Sequence, residues 1–315
     1  MKVLSAGVLG LVFLAVMGCG PESGSSSSSS GAVCDPAAPY AFLDARQGSR
    51  VMGLLEGYEA LETQRGMANF GKDNFAALAT AYQDHLAVEI QTLGTVPAWE
   101  DSGTPSALHT EITNALTQGQ NPQDTTPPRE LWQQVQKNVL RAFFLMVLRD
   151  VRRGTAADLD AAYVLFGHGD GSSLSRLAGE LAEYDADLGV AQEPLALDAL
   201  KAARCAVVRG DTAALTAAAD ALDAAGRKGF AYAAAHYFQQ LSTGSGDRVQ
   251  LVEGAVWFGV VEGWMRSQGH ATEANQIRGW LNPLLPGGAM ETATPDTAGA
   301  TAALNAMRTV FGLNI

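Results

Sequence analysis

After residue 40, apolar residues recur at three- and four-residue intervals, the spacing that collects them on one face of a helix, and no run alternates in the manner of a strand. The pattern predicts a helix over 51–65, with Met52, Leu55 and Tyr58 spaced for burial and Gly66 as the stop. A second helix, over 73–93, sets Phe75, Leu78, Tyr82, Leu86 and Ile90 near one stripe before Gly94. Thr104-Pro105 opens a third that ends near Gly119. Residues 120–128 are polar and proline-rich, which reads as a long surface loop or a subdomain boundary.

The strongest helical pattern covers 129–153, with Trp132, Val135, Val139, Phe143, Met146 and Val147 at core spacings. Its closing Arg149, Arg152 and Arg153 set positive charge against the negative helix end, and Gly154 stops it. Thr155 caps a short helix through 166, followed by a glycine-rich turn over 167–173. Further helices are expected over 173–188, 194–209, 229–241, 247–268, 270–281 and 296–311. The fold class that follows is all-α, an antiparallel multi-helix bundle of about ten to twelve helices with short connections. Residues 153–157 and 209–214 share one punctuation (helix, glycine stop, polar cap, helix), consistent with a diverged helical hairpin. A solenoid would need a third such unit, and none is found.

Alanine explains much of the composition: 47% of the chain is hydrophobic but only 7% aromatic, which suits closely packed helices. The net charge of −12 repels phosphate backbones, so nucleic acid is not an expected partner.

The first residues read differently. Lys2 precedes an apolar run over 3–17, shorter than the roughly 20 residues of a membrane span, and Gly18-Cys19 closes it. This is the pattern of a secretory signal. Val16-Met17-Gly18-Cys19 resembles the lipobox of bacterial lipoproteins, whose cysteine is lipid-modified and becomes the first mature residue. The resemblance implies a signal over 1–18, lipidation of Cys19 and the membrane as a partner through that lipid. Gly20 stands where aspartate often favours the inner membrane in that family, so the outer membrane is the expected one. Residues 20–31, with six serines from Ser25 to Ser30, bury too little surface to offset ordering entropy, which suits a tether. The tether extends to 33, and the helical domain is expected over 34–315.

Two cysteines then remain, Cys34 and Cys205. In an oxidising compartment they could form a disulfide between the start of the domain and a later helix. Cys205, within AARCAVV, reads equally as a buried small hydrophobe. No CxxC or CxxCH is present, so neither a thioredoxin-like motif nor c-type haem attachment is expected.

The chemistry-bearing residues form few patterns. Among His85, His109, His168, His236 and His270, no pair stands in an HExxH relation. Only His85 and Glu89 have a ligand-like spacing, four residues apart on a predicted helix; the expectation is a solvated surface edge, with no metal and no cofactor. His236 is expected to be part-buried and hydrogen-bonded. His168, with Ser172 and Ser173, sits in a turn that reads as a tight connection, with anion binding as the sharper alternative. Neither GxSxG nor SxxK occurs, and no catalytic residue is assigned. Glu253 and Glu262 lie in an aromatic helix, each followed by glycine, as is Glu56. Close helix packing is the favoured reason, and a pocket lined by Trp257, Trp264 and these acids is the other.

In class and location the chain is similar to imelysin-like proteins, which are extracytoplasmic, often lipoproteins, built of paired α-helical bundles and associated with iron or haem uptake. Their GxHxxE motif has no counterpart here, because His85 and Glu89 are one residue too far apart and no glycine matches, so no residue role carries over. The expected function is therefore a lipid-anchored envelope protein, a non-enzymatic module binding a protein or small-molecule partner. An imelysin-like iron- or haem-handling protein is the alternative.

Overall fold

A helix that is buried on every side needs neighbours all round, and much of the bundle packs against one such element. In the computed structural model, which describes residues 34–43, 49–95, 107–167 and 176–315, that element is α5 (Pro128–Arg153). It is 26 residues long and buried without interruption from Lys137 to Val151. Before it come α1 (Ser49–Arg65), α2 (Phe75–His85), α3 (Ala87–Gln91) and α4 (Ala107–Gln120). After it follow α6 (Ala156–Phe166), α7 (Leu177–Leu188), α8 (Gln192–Arg209) and α9 (Thr212–Ser242). The chain closes with α10 (Arg248–Ser267), α11 (Ala271–Leu281) and α12 (Thr297–Phe311). The described residues thus form an all-α multi-helix bundle with 12 α-helices and no strands. None of these helices is long and apolar enough to cross a membrane.

Local chemistry sets the main boundaries. Pro128 opens α5 at a position whose N–H would be unpaired anyway. Gly154 ends it at φ 66°, a left-handed cap that glycine adopts without Cβ strain. The hydroxyl of Thr155 then accepts the Asp158 N–H at 3.1 Å and starts α6. The same sequence of events joins α8 to α9, with Gly210 at φ 67° and Asp211 accepting the Ala214 N–H at 2.9 Å. The twin punctuation therefore makes two helical hairpins. One hydrophobic core runs from Val51 to Leu313, continuous across the 121–127 connection. Lys72 holds that connection by donating to the carbonyls of Asn121, at 3.1 Å, and Asp124.

Two helices depart from the periodicity. The stripe over 73–93 is divided at Leu86 (φ −113°), so that α2 ends at His85 and α3 starts at Ala87. In the other direction, α9 is one helix of 31 residues, although its glycines suggest a start at 229. Those glycines mark close approach and not a helix stop: a Cβ on Gly226 would lie 2.0 Å from Phe144 Cζ, and one on Gly229 2.4 Å from Leu181 Cδ2. The turn with His168, Ser172 and Ser173 lies outside the described residues, as does Cys19.

Gly226→Ala sets two effects against each other. Alanine favours a helix by about 1 kcal/mol, whereas forcing a methyl into a packed core costs about 1–3 kcal/mol. With the Phe144 ring closed on the site, overpacking prevails, and the variant unfolds at lower urea than the parent. A higher midpoint would show that Phe144 moves aside freely.

The start of the described chain is tied down at several points. Cys34 and Cys205 are joined in a disulfide spanning 171 residues of sequence. Arg204 donates to the Ala41 carbonyl, and Arg209 donates to the Cys34 carbonyl at 3.0 Å. Tyr40 stacks on Tyr163 with ring centroids 3.8 Å apart, and its hydroxyl donates to buried Asp160 at 3.0 Å.

Candidate functional site

α5 is buried along most of its length, yet the polar residues Gln134, Asn138 and Arg141 recur on it at spacings of four and three, which places them on one face. Opposite, α4 contributes Glu111, Asn114 and Gln118 at spacings of three and four. α10 adds Gly259, and α11 with the following loop adds Arg278, Asn282 and 285–288. Together they enclose a cleft of about 370 Å³, at the small end of the roughly 300–1,000 Å³ of ligand sites. Polar groups dominate its walls.

Two of those groups are buried and poorly matched. Arg141 is 7% exposed, and its Nη1 reaches only Glu111 Oε2, at 3.5 Å, from a Glu111 side chain that is half exposed. Asn138 is 2% exposed, and its Oδ1 has no hydrogen-bond partner. Burying a guanidinium against one long contact, beside an unsatisfied carbonyl oxygen, is unfavourable unless something else fills the valences. Gly259 makes room for the arginine, since a Cβ there would stand 3.1 Å from Arg141 Nη1.

The second arginine is already occupied. Arg278 donates through Nε to Glu262 Oε2 at 2.9 Å and again through Nη2, while Arg266 takes Glu262 Oε1 at 2.8 Å. The Arg278 guanidinium also lies 5.1 Å from the Phe258 ring centre. Below it, the loop is held in shape by Met290 N–H donating to Pro283 O at 2.7 Å and Gly288 N–H to Leu285 O at 2.8 Å. Gly288 is required there, because a Cβ would meet the Asn282 carbonyl at 2.4 Å.

The neighbouring residue on α5 faces a different environment. Lys137 donates to both oxygens of Glu180, at 2.8 and 2.7 Å, and both residues lie in the interior. The hydroxyls of Tyr184 and Tyr237 share a hydrogen bond of 2.9 Å, and Trp257 Nε1 donates to Tyr184 at 3.1 Å. Glu253 completes the group by bonding Tyr237. Burial is the main cause that pushes the Glu253 carboxyl above its ordinary 4.5, with Lys137 and Tyr237 working against it. Burial likewise pushes Tyr184 and Tyr237 up. The set is closed and satisfied, and it braces α5, α7, α9 and α10.

A pH dependence follows from Glu253. A carboxyl raised in the folded state binds its proton more tightly there than in the unfolded chain. Its contribution is therefore fully present below pH 4.5 and is lost as pH rises through the folded value. Relative to Glu253→Gln, the parent should be most stable in acid and lose ground towards neutrality. Urea midpoints of both proteins from pH 4 to 7 (roughly the span over which buried carboxyls titrate) test this; a constant difference would exclude a raised carboxyl.

The residues singled out in the sequence lie elsewhere. His85 is exposed at the end of α2, and the break at Leu86 removes it from the helix that carries Glu89. Glu89 is not a free surface group but pairs with Arg50 at 3.0 Å and Arg149 at 3.4 Å. Among the described residues, no three His, Cys, Asp or Glu side chains converge as a metal site. His109 Nδ1 meets the Tyr82 hydroxyl at 2.9 Å, and half-buried His236 meets Gln240 at 2.7 Å. Trp257 is in the core, whereas Trp264 packs on Phe311 and under Arg227, so the two tryptophans line no common pocket. The glycine after Glu253 permits close packing: a Cβ on Gly254 would stand 3.0 Å from Phe238 and Tyr237. Gly57, after exposed Glu56, abuts His85 in the same way.

The cleft itself matches no motif. Its one signal in the sequence is the polar stripe Gln134, Asn138, Arg141 among the core-spaced apolar residues of the helix over 129–153. Comparison of the chain with protein-family models, with curated proteins and with solved structures finds no match.

Proposed function

We propose that this protein is a lipid-anchored domain of the bacterial cell envelope that binds a small polar solute in the cleft between α4, α5, α10 and α11, and that its work is binding rather than catalysis. The observation that carries the reading is Arg141, a guanidinium 7% exposed on the cleft wall whose one carboxylate contact is Glu111, at 3.5 Å. Buried guanidinium groups are nearly always satisfied, so a solute acceptor placed against Arg141 gains hydrogen bonds that Glu111 alone does not supply. The Cys34–Cys205 disulfide supports an oxidising compartment. The lipobox-like Val16–Cys19 supports anchoring through Cys19, with Gly20 favouring the outer membrane.

The test uses the full chain expressed in a bacterium fed labelled palmitate. Label and membrane sedimentation are expected together, and Cys19→Ser should abolish both; full sedimentation of that variant would remove the anchor from the reading. For the cleft, a thermal-shift panel of sugars, sugar acids, amino acids and phosphate esters should yield one class that raises the melting temperature, an effect lost in Asn138→Leu. No shift from any class, with Asn138→Leu more stable than the parent, would reduce the cleft to a hydrated surface. A stoichiometric transition metal or a Soret band in the purified protein would favour the imelysin-like alternative.

A further inference from the structure

From the charge and valence of the cleft walls we infer its ligand class: a hydroxylated monocarboxylate, of which a hexuronic acid is the simplest form, with Arg141 as the carboxylate anchor. The inference rests on the cleft being a solute site, as proposed above, and adds the chemistry of the solute.

Charge comes first. Of the two arginines on the cleft, Arg278 has its N–H groups committed to Glu262, itself 2% exposed and shared with Arg266. Arg141 alone has an uncommitted fork, touching a single carboxylate oxygen at 3.5 Å. A planar guanidinium with free parallel N–H groups matches a carboxylate edge, and such paired bonds are the strong ones. One open fork asks for one carboxylate. A dianionic phosphate would bring a second charge close to Glu111, while the other cleft guanidinium, Arg278, already spends its N–H groups on Glu262.

Glu111 identifies the group that Arg141 prefers. Its carboxylate reaches towards Arg141 from a half-exposed position, too far for a good bond. It occupies the place a ligand carboxylate would take, and it competes with that ligand from solvent. The Gly259 notch holds the guanidinium against α10, so the fork is placed before anything binds.

The remaining walls specify hydroxyls. Asn114, Gln118, Gln134 and Asn282 are all primary amides, each offering both donors and acceptors. A hydroxyl is likewise both donor and acceptor, so a polyol can meet such a surface at several points. Asn138 adds a further amide to this lining, although its Oδ1 is itself shielded from solvent. Arg141 lies one turn along α5 from Asn138, so carboxylate and hydroxyl would be read by one helix face.

Titration calorimetry of the full chain with D-glucuronate, D-glucose, D-glucose 6-phosphate and acetate tests the inference. Glucuronate should bind at least tenfold more tightly than each of the others. Arg141→Gln should weaken glucuronate tenfold or more while changing glucose less than twofold. Glu111→Gln, at an exposed position where folding is not at stake, should tighten glucuronate by relieving competition at Arg141. Equal affinity for glucose and glucuronate would overturn the carboxylate assignment while leaving the cleft a polar-solute site. Tighter binding of the phosphate ester would overturn the monoanion assignment. Looser glucuronate binding in Glu111→Gln would show that Glu111 is a ligand-holding group and not a competitor. Binding of none of the four would overturn the inference, and the broader solute panel then decides whether the cleft reading falls with it.

Discussion

Lys137→Met lowers the free energy of unfolding by about 3–5 kcal/mol, the usual result of removing one member of a buried ion pair. The lysine side chain is 7% exposed and the Glu180 side chain 5% exposed, so neither charge can turn to water when its partner is lost. Glu180 would keep only the Tyr184 hydroxyl, at 3.4 Å. Methionine preserves most of the lysine volume, and the loss therefore reports charge and not a cavity. A second substitution discriminates further. Lys137→Met with Glu180→Leu should recover at least half of the loss, because an apolar pair leaves no charge stranded. Urea unfolding of the three proteins checks both statements. A single-variant loss under about 1 kcal/mol, the range of surface pairs, would mean that water reaches the pair.

Opening the Cys34–Cys205 bond is the second large effect. The bond joins residues 171 apart, and closing a loop of that length restricts the unfolded chain by about 5 kcal/mol in the chain-entropy description. Measured losses for native disulfides run from about 2 to 5 kcal/mol. The substitution Cys34→Ser with Cys205→Ser, or treatment of the parent with dithiothreitol, should lower the urea midpoint accordingly. The two routes should agree. The folded end of the bond is also supported without sulfur, by Arg204 and Arg209 on the carbonyls of Ala41 and Cys34 and by Tyr40 on Tyr163. Residues 34–43 should therefore stay docked in the folded variant. An unchanged midpoint under reductant would show that the cross-link restrains nothing the fold does not already hold.

Two cysteines left after Cys19 could be named from the chain, but whether they meet depends on α8 passing the start of the domain. Lys137 and Glu180 carry no sequence signal as a pair. They come from α5 and α7, and only the packing of those helices turns two ordinary surface residue types into a buried bond. The same holds for the cleft. Arg141 reads as one more charge in a long helix until α4 and α10 close over it, with Gly259 leaving room for the guanidinium.

What the sequence by itself determined is local: the all-α class, most helix ends, and the glycine, threonine and aspartate caps at 154–155 and 210–211. Apolar spacing and capping act within a few residues along the chain, so they can be read without knowing what lies across from them. Tertiary structure alone decided the rest. The regular stripe over 73–93 breaks at Leu86, although each of its apolar residues is buried as the stripe requires. The glycines at 226 and 229 continue a helix that propensity would end, because aromatic and aliphatic side chains from α5 and α7 occupy the space their missing Cβ atoms leave. His85 and Glu89, the one ligand-like pair in sequence, are separated by that break, and the cleft forms instead from amides and an arginine that no spacing rule connects. Contacts between distant segments carry no periodic trace in one chain, since each partner is chosen by shape and charge complementarity after the helices have met.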